Sequence, residues 1–142
     1  MTTNLSVDEF ADVFRRTPFM QDLGVELADI AKGECTTSLA VQPRFLQANG
    51  YVHAGVQASM ADHSMGAAAF TLVSPGQYVV TVEFKMSMLR SAQGETLRCR
   101  ANVLKPGKKF IFVEAEVYCV SQGKEQLTLK ASATMAVIGG TT

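Results

Sequence analysis

An acidic residue lies in the middle of a long stretch of small and apolar side chains. Residues 49–70, NGYVHAGVQASMADHSMGAAAF, contain no proline, lysine or arginine, and Asp62 stands near their centre. That composition predicts a buried helix in which Asp62 shares a face with small or apolar residues. Burying a carboxylate is costly unless another group pairs with it or a reaction uses it. Asp62 is therefore the first candidate for a functional residue.

The start of the same predicted helix carries groups of the opposite polarity. The turn formers Asn49 and Gly50 come first, and His53, Ala54 and Gly55 follow them. The first N–H groups of a helix lack intrahelical acceptors and carry the positive end of the helix dipole. The backbone of Ala54 and Gly55 could therefore stabilise negative charge that develops on a carbonyl oxygen.

Length and composition predict one domain over residues 1–142. The chain is 47% hydrophobic and 18% charged, and its formal net charge of zero argues against a nucleic-acid or acidic-membrane partner. We find no signal peptide and no apolar run of the roughly 18 residues that a membrane span needs, which predicts a cytoplasmic protein. The three cysteines are predicted to be reduced core thiols, because they are odd in number and widely separated: Cys35, Cys99 and Cys119.

The segments around this helix must position it. Ser6 and Glu9 form a capping-box pattern that predicts an N-terminal amphipathic helix at about 6–16, followed by a turn at 18–23. After the central helix the hydrophobic period changes to two. Strands are predicted on both sides of the central helix, at 24–30, 35–41, 80–88, 95–104, 109–120 and 125–138. The fold class is therefore α+β, with a curved antiparallel sheet of about six strands wrapped around one long helix.

The strand at 80–88 alternates between apolar and polar residues. Val80, Phe84 and Met88 fall on one predicted face, and Thr81 and Lys85 fall on the other. Strict alternation therefore predicts that Thr81 shares the polar face of this strand.

The order of elements and the residues of the central stretch resemble the hotdog fold. Within that fold they are similar to the PaaI-like acyl-CoA thioesterases of the 4-hydroxybenzoyl-CoA thioesterase superfamily. The matching positions are Asn49, His53-Ala54-Gly55, Asp62 nine residues after His53, Thr81, and residues 90–94. The resemblance covers roughly residues 24 to 138. Ala54 and Ser91 depart from the family pattern, which usually has glycine and often proline there.

The resemblance implies hydrolysis of an acyl-CoA thioester with no cofactor beyond the coenzyme A of the substrate. Asp62 would be the general base or the nucleophile, and the N–H of Ala54 would polarise the thioester carbonyl. Gly55 would keep the approach to the carbonyl open. The alternative for Asp62 is a helix carboxylate that forms a hydrogen bond across a dimer without a catalytic task.

The resemblance also gives roles to three neighbouring polar residues. Asn49 and His53 would hold the carbonyl or the lytic water, and Thr81 would orient that water or Asp62. Each has a simpler alternative. Asn49 could be a turn residue, His53 could cap a backbone group at the helix start, and Thr81 could reflect strand propensity alone.

Cationic side chains offer candidate contacts for the phosphates of coenzyme A. Arg90 follows the strand at 80–88, and Lys108 and Lys109 adjoin the turn at Pro106-Gly107. The alternative for the two lysines is a solvated hairpin tip. No Gly-rich phosphate loop and no metal-ligand spacing of the His-x-x-x-His type is present.

The spacing of Ala54 and Asp62 predicts a shared site. Eight residues separate them, which is about 12 Å along a helix, so one carbonyl cannot contact both in one protomer. We therefore predict an obligate homodimer in which Asn49, His53 and Ala54 of one chain meet Asp62 and Thr81 of the other. The resemblance implies further pairing into a tetramer. Two alternative functions stay open: a non-catalytic acyl-CoA-binding module, and a hotdog enoyl-CoA hydratase or dehydratase.

Overall fold

The computed structural model describes residues 5–140 and contains six strands and three α-helices over that range. The strands are β1 (Glu26–Ala31), β2 (Glu34–Ala40), β3 (Gln77–Met88), β4 (Thr96–Lys105), β5 (Phe110–Ser121) and β6 (Lys124–Gly139). The helices are α1 (Val7–Arg15), α2 (Pro18–Leu23) and α3 (Ala54–Phe70), with a short 3-10 helix at Pro43–Phe45. All neighbouring strands are antiparallel, in the order β1-β2-β4-β5-β6-β3. The predicted α+β fold, a curved six-stranded sheet around one central helix, is confirmed.

Helix α3 packs against the sheet through small and flexible side chains. Met60, Ala61, Met65 and Ala68 are completely buried, and α3 contacts every strand from β2 to β6. Alanine lets the helix approach the sheet closely, and methionine fills the irregular gaps that remain. No helix within residues 5–140, α3 included, is long and apolar enough to cross a membrane.

Helix α1 lies beside α3 and carries the predicted capping box. Ser6 and Glu9 exchange the two side-chain to backbone hydrogen bonds of this motif. Phe10 and Phe14 are buried on the inner face of α1, because the helix is amphipathic. Helix α1 is therefore part of the packed structure.

The segment after α1 corrects the sequence prediction. Residues 18–23 were predicted to form a turn, but they form the short helix α2. Pro18 is compatible with this helix because it occupies the first turn, where a backbone N–H would have no intrahelical acceptor. Gly24 ends the helix in the left-handed conformation, at φ 79°.

A β-bulge in β3 corrects the predicted alternation of that strand. Thr81 lies opposite Met135 of β6, but the next registered pair is Glu83 with Thr134, so Val82 has no partner residue. An extra residue of this kind exchanges the faces of the strand on its two sides. Thr81 therefore points to the helix-facing side, together with the buried Met135, whereas strict alternation placed it on the polar face.

The three cysteines are free and buried, as predicted. Burial raises the pKa of the Cys99 thiol to about 12, and it raises the pKa of Cys35 well above its usual range. Both therefore remain protonated at neutral pH, which makes them poor nucleophiles and poor metal ligands.

Candidate active site

The structure brings Asp62 of α3 and Thr81 of β3 into direct contact. The Thr81 hydroxyl donates a hydrogen bond of 2.7 Å to Oδ1 of Asp62, and it also lies 3.4 Å from the sulfur of Met135. Within residues 5–140, the other carboxylate oxygen of Asp62, Oδ2, has no hydrogen-bond partner. One oxygen is thus held in place, and the other is free to accept a proton or to attack a carbon atom.

A cavity of about 280 Å³ opens beside this pair. Asp62, Thr81 and Met135 form one side of it. Most of the remaining wall is apolar or aromatic and comes from α1, α3 and the start of β3: Phe10, Val13, Phe14, Thr17, His63, Gly66, Ala67, Phe70, Tyr78 and Val79. The contribution of α1 was not predicted from the sequence. The amphipathic pattern with Phe10 and Phe14 was the available signal, but it did not indicate which part of the fold α1 would cover.

The hydrogen bond between Thr81 and Asp62 leads to a testable prediction. A hydrogen bond to a charged group contributes about 1.5–3 kcal/mol, so Thr81→Val should lower turnover of a substrate that reacts at Asp62 by about tenfold or more. Thr81→Ser should restore most of the activity because it keeps the hydroxyl. The matched control is Thr134→Val, since Thr134 donates a similar bond to Glu83 away from the cavity. Equal kcat values for Thr81→Val and the wild type would contradict this role.

His63 is a packing residue, and its ring lies against α1. The ring centroid is 4.5 Å from that of Phe14 in an edge-to-face arrangement. Its Nε2 atom is buried and has no hydrogen-bond partner within residues 5–140. Burial lowers the pKa of His63, although the nearby Asp62 carboxylate acts in the opposite direction. The neutral imidazole is therefore the form that the folded protein favours.

This half-buried histidine should make stability depend on pH. An unfolded histidine titrates near pH 6.5, whereas His63 in the folded protein binds its proton only at lower pH. Below that pH the unfolded state binds more protons than the folded state. The contribution of His63 to the free energy of unfolding is therefore lost as pH falls through about 6.5, by at most about 1.4 kcal/mol per pH unit. We expect His63→Phe to lose less unfolding free energy than the wild type between about pH 7.5 and 5.5, measured by urea denaturation. Equal losses in the two proteins would contradict this prediction.

The backbone N–H groups at the start of α3 differ in whether they have a hydrogen-bond acceptor. The N–H of Gly55 donates to Nδ1 of His53 at 2.8 Å, and the N–H of Val56 donates to the His53 carbonyl at 3.1 Å. In the described part of the chain, the N–H of Ala54 makes no hydrogen bond. Ala54 therefore presents the N–H group that the sequence predicted for a carbonyl oxygen.

His53 has the capping geometry that was considered as its simpler role. It is the N-cap of α3 and accepts a hydrogen bond at Nδ1. Because Nδ1 is an acceptor, the hydrogen of the neutral ring is on Nε2. The ring is exposed, so Nε2 can still donate to a bound molecule. Capping and substrate positioning are thus compatible.

Asn49 lies in the turn before α3. Its Oδ1 accepts a hydrogen bond of 3.4 Å from the N–H of Tyr51, which is the turn role considered from the sequence. Asn49 does not line the cavity beside Asp62. Within one protomer, the structure does not bring Asn49 and Asp62 together.

A second cleft, of about 370 Å³, lies at the start of α3. Ala54 and Arg90 both line it, and Arg90 donates a hydrogen bond of 3.1 Å to the Leu127 carbonyl. Lys108 lines a different pocket, with Pro106 and Gly107. The structure therefore brings Arg90 to the predicted carbonyl-binding group, whereas Lys108 is not part of the same cleft.

Gln57 also lines this second cleft and was not singled out from the sequence. Its side chain is completely buried, and its Oε1 lies 2.8 Å from the hydroxyl of Thr128. The available signal was a long polar side chain among the small and apolar residues of the first helical turn.

The two halves of the predicted site face different cavities in a single protomer. Ala54 lines the second cleft, and Asp62 lines the first cavity. Both belong to the continuous helix α3, so about 12 Å of helix separates them. No single thioester carbonyl can reach both groups of one chain.

Comparisons with known proteins show which family the chain belongs to. A sequence profile described as "Thioesterase superfamily" matches residues 49–126, which include Ala54, Asp62 and Thr81. The chain belongs to the thioesterase superfamily. The crystal structure of a thioesterase family protein from Silicibacter pomeroyi superposes with a TM-score of 0.90 at 32% identity, covering 92% of this chain and 96% of that chain.

Two further known proteins are less similar in sequence to this thioesterase superfamily chain. The 1,4-dihydroxy-2-naphthoyl-CoA hydrolase of Listeria monocytogenes is 26% identical over 82% of this chain and 93% of its own length. A thioesterase from Haemophilus influenzae shares the fold, with a TM-score of 0.85 at 17% identity, covering 97% of this chain and 94% of that chain. The superfamily and its hydrolase relatives support thioester hydrolysis in general.

Proposed function

We propose that this thioesterase superfamily protein hydrolyses acyl-CoA thioesters to a free carboxylic acid and coenzyme A. The observation that carries the proposal is the Asp62 carboxylate, held at Oδ1 by Thr81 and free at Oδ2, beside a largely apolar cavity. A charged oxygen without a partner is costly beside an apolar surface. It is useful there when it meets a water molecule or a thioester carbonyl.

Two mechanisms use this carboxylate. As a general base, Asp62 removes a proton from water while the water oxygen attacks the thioester carbon. As a nucleophile, its Oδ2 attacks that carbon and forms an anhydride, which water then hydrolyses. In both, the carbon–sulfur bond breaks with coenzyme A leaving as its thiolate, and the carbonyl oxygen carries negative charge in the tetrahedral intermediate. The N–H of Ala54 stabilises that charge.

The proposed site is shared between two protomers. Ala54, with His53 and Asn49 beside it, comes from one chain, and Asp62 with Thr81 comes from its partner. The surface of β3 supports this association, because β3 is an edge strand of the sheet. Val82 is 58% exposed and Met88 44% exposed on this strand. An exposed apolar edge strand is normally covered by another part of a protein.

Further pairing of dimers into a tetramer is part of the proposal. Phe110, Phe112 and Ile138 are exposed apolar residues of β5 and β6, and their strands are adjacent in the sheet. Adjacent exposed apolar side chains are typical of protein–protein contacts. In the substrate complex, Arg90 contacts the coenzyme A part from the cleft that it shares with Ala54, and Lys108 and Lys109 remain candidates for its phosphates.

The test is release of free thiol from a panel of acyl-CoA thioesters by the purified protein, with matched acyl carrier protein thioesters in parallel. We expect turnover of at least one acyl-CoA, with the free acid and coenzyme A formed in equal amounts. Tight acyl-CoA binding without thiol release at any pH between about 6 and 9 would instead indicate a binding module. Hydration of enoyl-CoA without thiol release would indicate a hydratase.

A further inference from the structure

Position 66 of α3 holds a glycine, although the fold itself does not require a glycine there. It follows Asp62 by one helical turn, so the two residues share a face of α3, and both line the cavity. Gly66 is not among the glycines with positive φ. A Cβ atom built on Gly66 would meet nothing within 4 Å outside the local helix backbone. Neither backbone conformation nor close packing within the described chain explains the glycine.

Glycine at this position has a cost. Inside a helix, glycine is about 1 kcal/mol less favourable than alanine. Gly94 shows the contrasting case, because a Cβ there would lie 2.5 Å from the Val120 carbonyl oxygen. Gly94 is therefore required by packing, whereas Gly66 leaves open space next to the carboxylate.

Helix α1 forms the wall that encloses this space. Phe10 packs on Phe70 with ring centroids 5.6 Å apart, and Phe14 packs on His63. These contacts fix α1 to the same helix that carries Asp62. Val13, between them, lines the cavity and is 44% exposed. The width of the cavity is thus set by α1 on one side and by the missing side chain of Gly66 on the other.

We propose that Gly66 is a specificity-determining residue that admits acyl groups that are wide next to the carbonyl carbon. Such groups have a ring or a branched carbon bonded directly to the carbonyl. This inference rests on the proposed thioesterase function, because it assumes that the thioester carbonyl lies at Asp62. The first carbons of the acyl group then lie within the roughly 6 Å of helix rise between Asp62 and Gly66. A side chain at position 66 would occupy the space that a ring needs and would leave room for a linear chain.

The experiment compares two acyl groups of seven carbons that differ in width. Keto analogues of benzoyl-CoA and heptanoyl-CoA, with a methylene in place of the thioester sulfur, measure binding without turnover. A misplaced methyl or methylene group in a pocket costs a factor of about 10–200. We expect Gly66→Val to raise the Kd ratio of the benzoyl to the heptanoyl analogue at least about tenfold, and Gly66→Ala to raise it less. Gly66→Ala should not lower the melting temperature, since alanine favours the helix.

A second pair of variants tests the opposite wall. Val13→Phe would narrow the cavity from α1 and should raise the same Kd ratio. Val7→Phe is the matched control, because Val7 is an exposed valine of α1 that does not line the cavity. It should leave the ratio unchanged.

Two results would overturn the assignment of Gly66. They are an unchanged Kd ratio in folded Gly66→Val, whether or not both affinities fall equally, and no binding of either analogue to the wild type. An equal loss accompanied by dissociation of the oligomer would indicate that Gly66 serves a contact between protomers. Failure of the proposed function is a separate result. Binding of the benzoyl analogue could depend on Gly66 while the wild type releases no thiol from benzoyl-CoA or heptanoyl-CoA. In that case the role of Gly66 in admitting wide acyl groups is supported, and the proposed hydrolysis is wrong.

Discussion

Asp62→Asn is expected to lower kcat for acyl-CoA hydrolysis by about 10²–10⁴-fold, the usual contribution of a general base. A nucleophilic carboxylate would give a loss at least as large, because an amide oxygen cannot form the same intermediate. The substitution is almost isosteric, and asparagine Oδ1 can still accept the hydrogen bond from Thr81. The loss should therefore appear in steady-state thiol release without a lower melting temperature.

A second carboxylate on β3 gives the matched control for this variant. Glu83 is an exposed residue just beyond the β-bulge, and it accepts a hydrogen bond of 3.3 Å from Thr134. Glu83→Gln removes one negative charge from the same strand without touching the cavity, so its kcat should stay within about twofold of the wild type. Near-normal turnover by Asp62→Asn would remove Asp62 from the mechanism.

Ala54→Pro is expected to lower kcat by about 10²–10³-fold, the effect of removing one oxyanion donor. Proline removes the N–H but suits the first position of a helix. The preceding residue also tolerates it, because His53 has φ −60° and ψ 139°, the extended conformation that a residue before proline prefers. Circular dichroism should therefore be unchanged while thiol release is lost.

Mixing the two inactive chains should restore activity if the site is shared. In dimers formed at random from equal amounts of Asp62→Asn and Ala54→Pro chains, about half are mixed, and each has one site with both wild-type groups. Co-expression should therefore give about a quarter of wild-type turnover, whereas each variant alone stays near zero. If each protomer contained a whole site, the mixture would stay inactive.

The reverse mixture is the control for this experiment. Wild-type chains combined with a chain that carries both substitutions should also give about a quarter of wild-type turnover, because every mixed dimer then has two defective sites. A site within one protomer would give about half. The two mixtures together distinguish a shared site from low expression of one chain.

The sequence was most informative where local chemistry determines structure. The Ser6–Glu9 capping box and the placement of Ala54 at the start of α3 depend on nearby backbone groups, and both were predicted. The helix at Pro18–Leu23 was missed, although proline at the first position of a helix was the available signal. The contact between Phe14 and His63 could not be predicted, because it joins residues that are distant in the chain and depends on how α1 packs.

The direction in which the Thr81 side chain points could not be predicted from the alternation of apolar and polar residues in β3. Nothing in the residues around Val82 marks a bulge, since valine fits a strand and no glycine is present there. The bulge is defined by pairing with β6, which the sequence of β3 alone does not contain. Thr81 was nevertheless selected through the resemblance, which carried information that alternation did not.

The unpaired Val82 also has a consequence for how this strand can evolve. It divides β3 into two segments whose inward and outward positions follow opposite parity, one ending at Thr81 and one beginning at Glu83. Substitutions within either segment do not change which positions of the other face inward. Gain or loss of a single residue between the segments would exchange the inward and outward positions of one segment relative to the other. The alternation of inward and outward side chains along β3, more than the identity of Val82, keeps the Thr81 hydroxyl in contact with the Asp62 carboxylate.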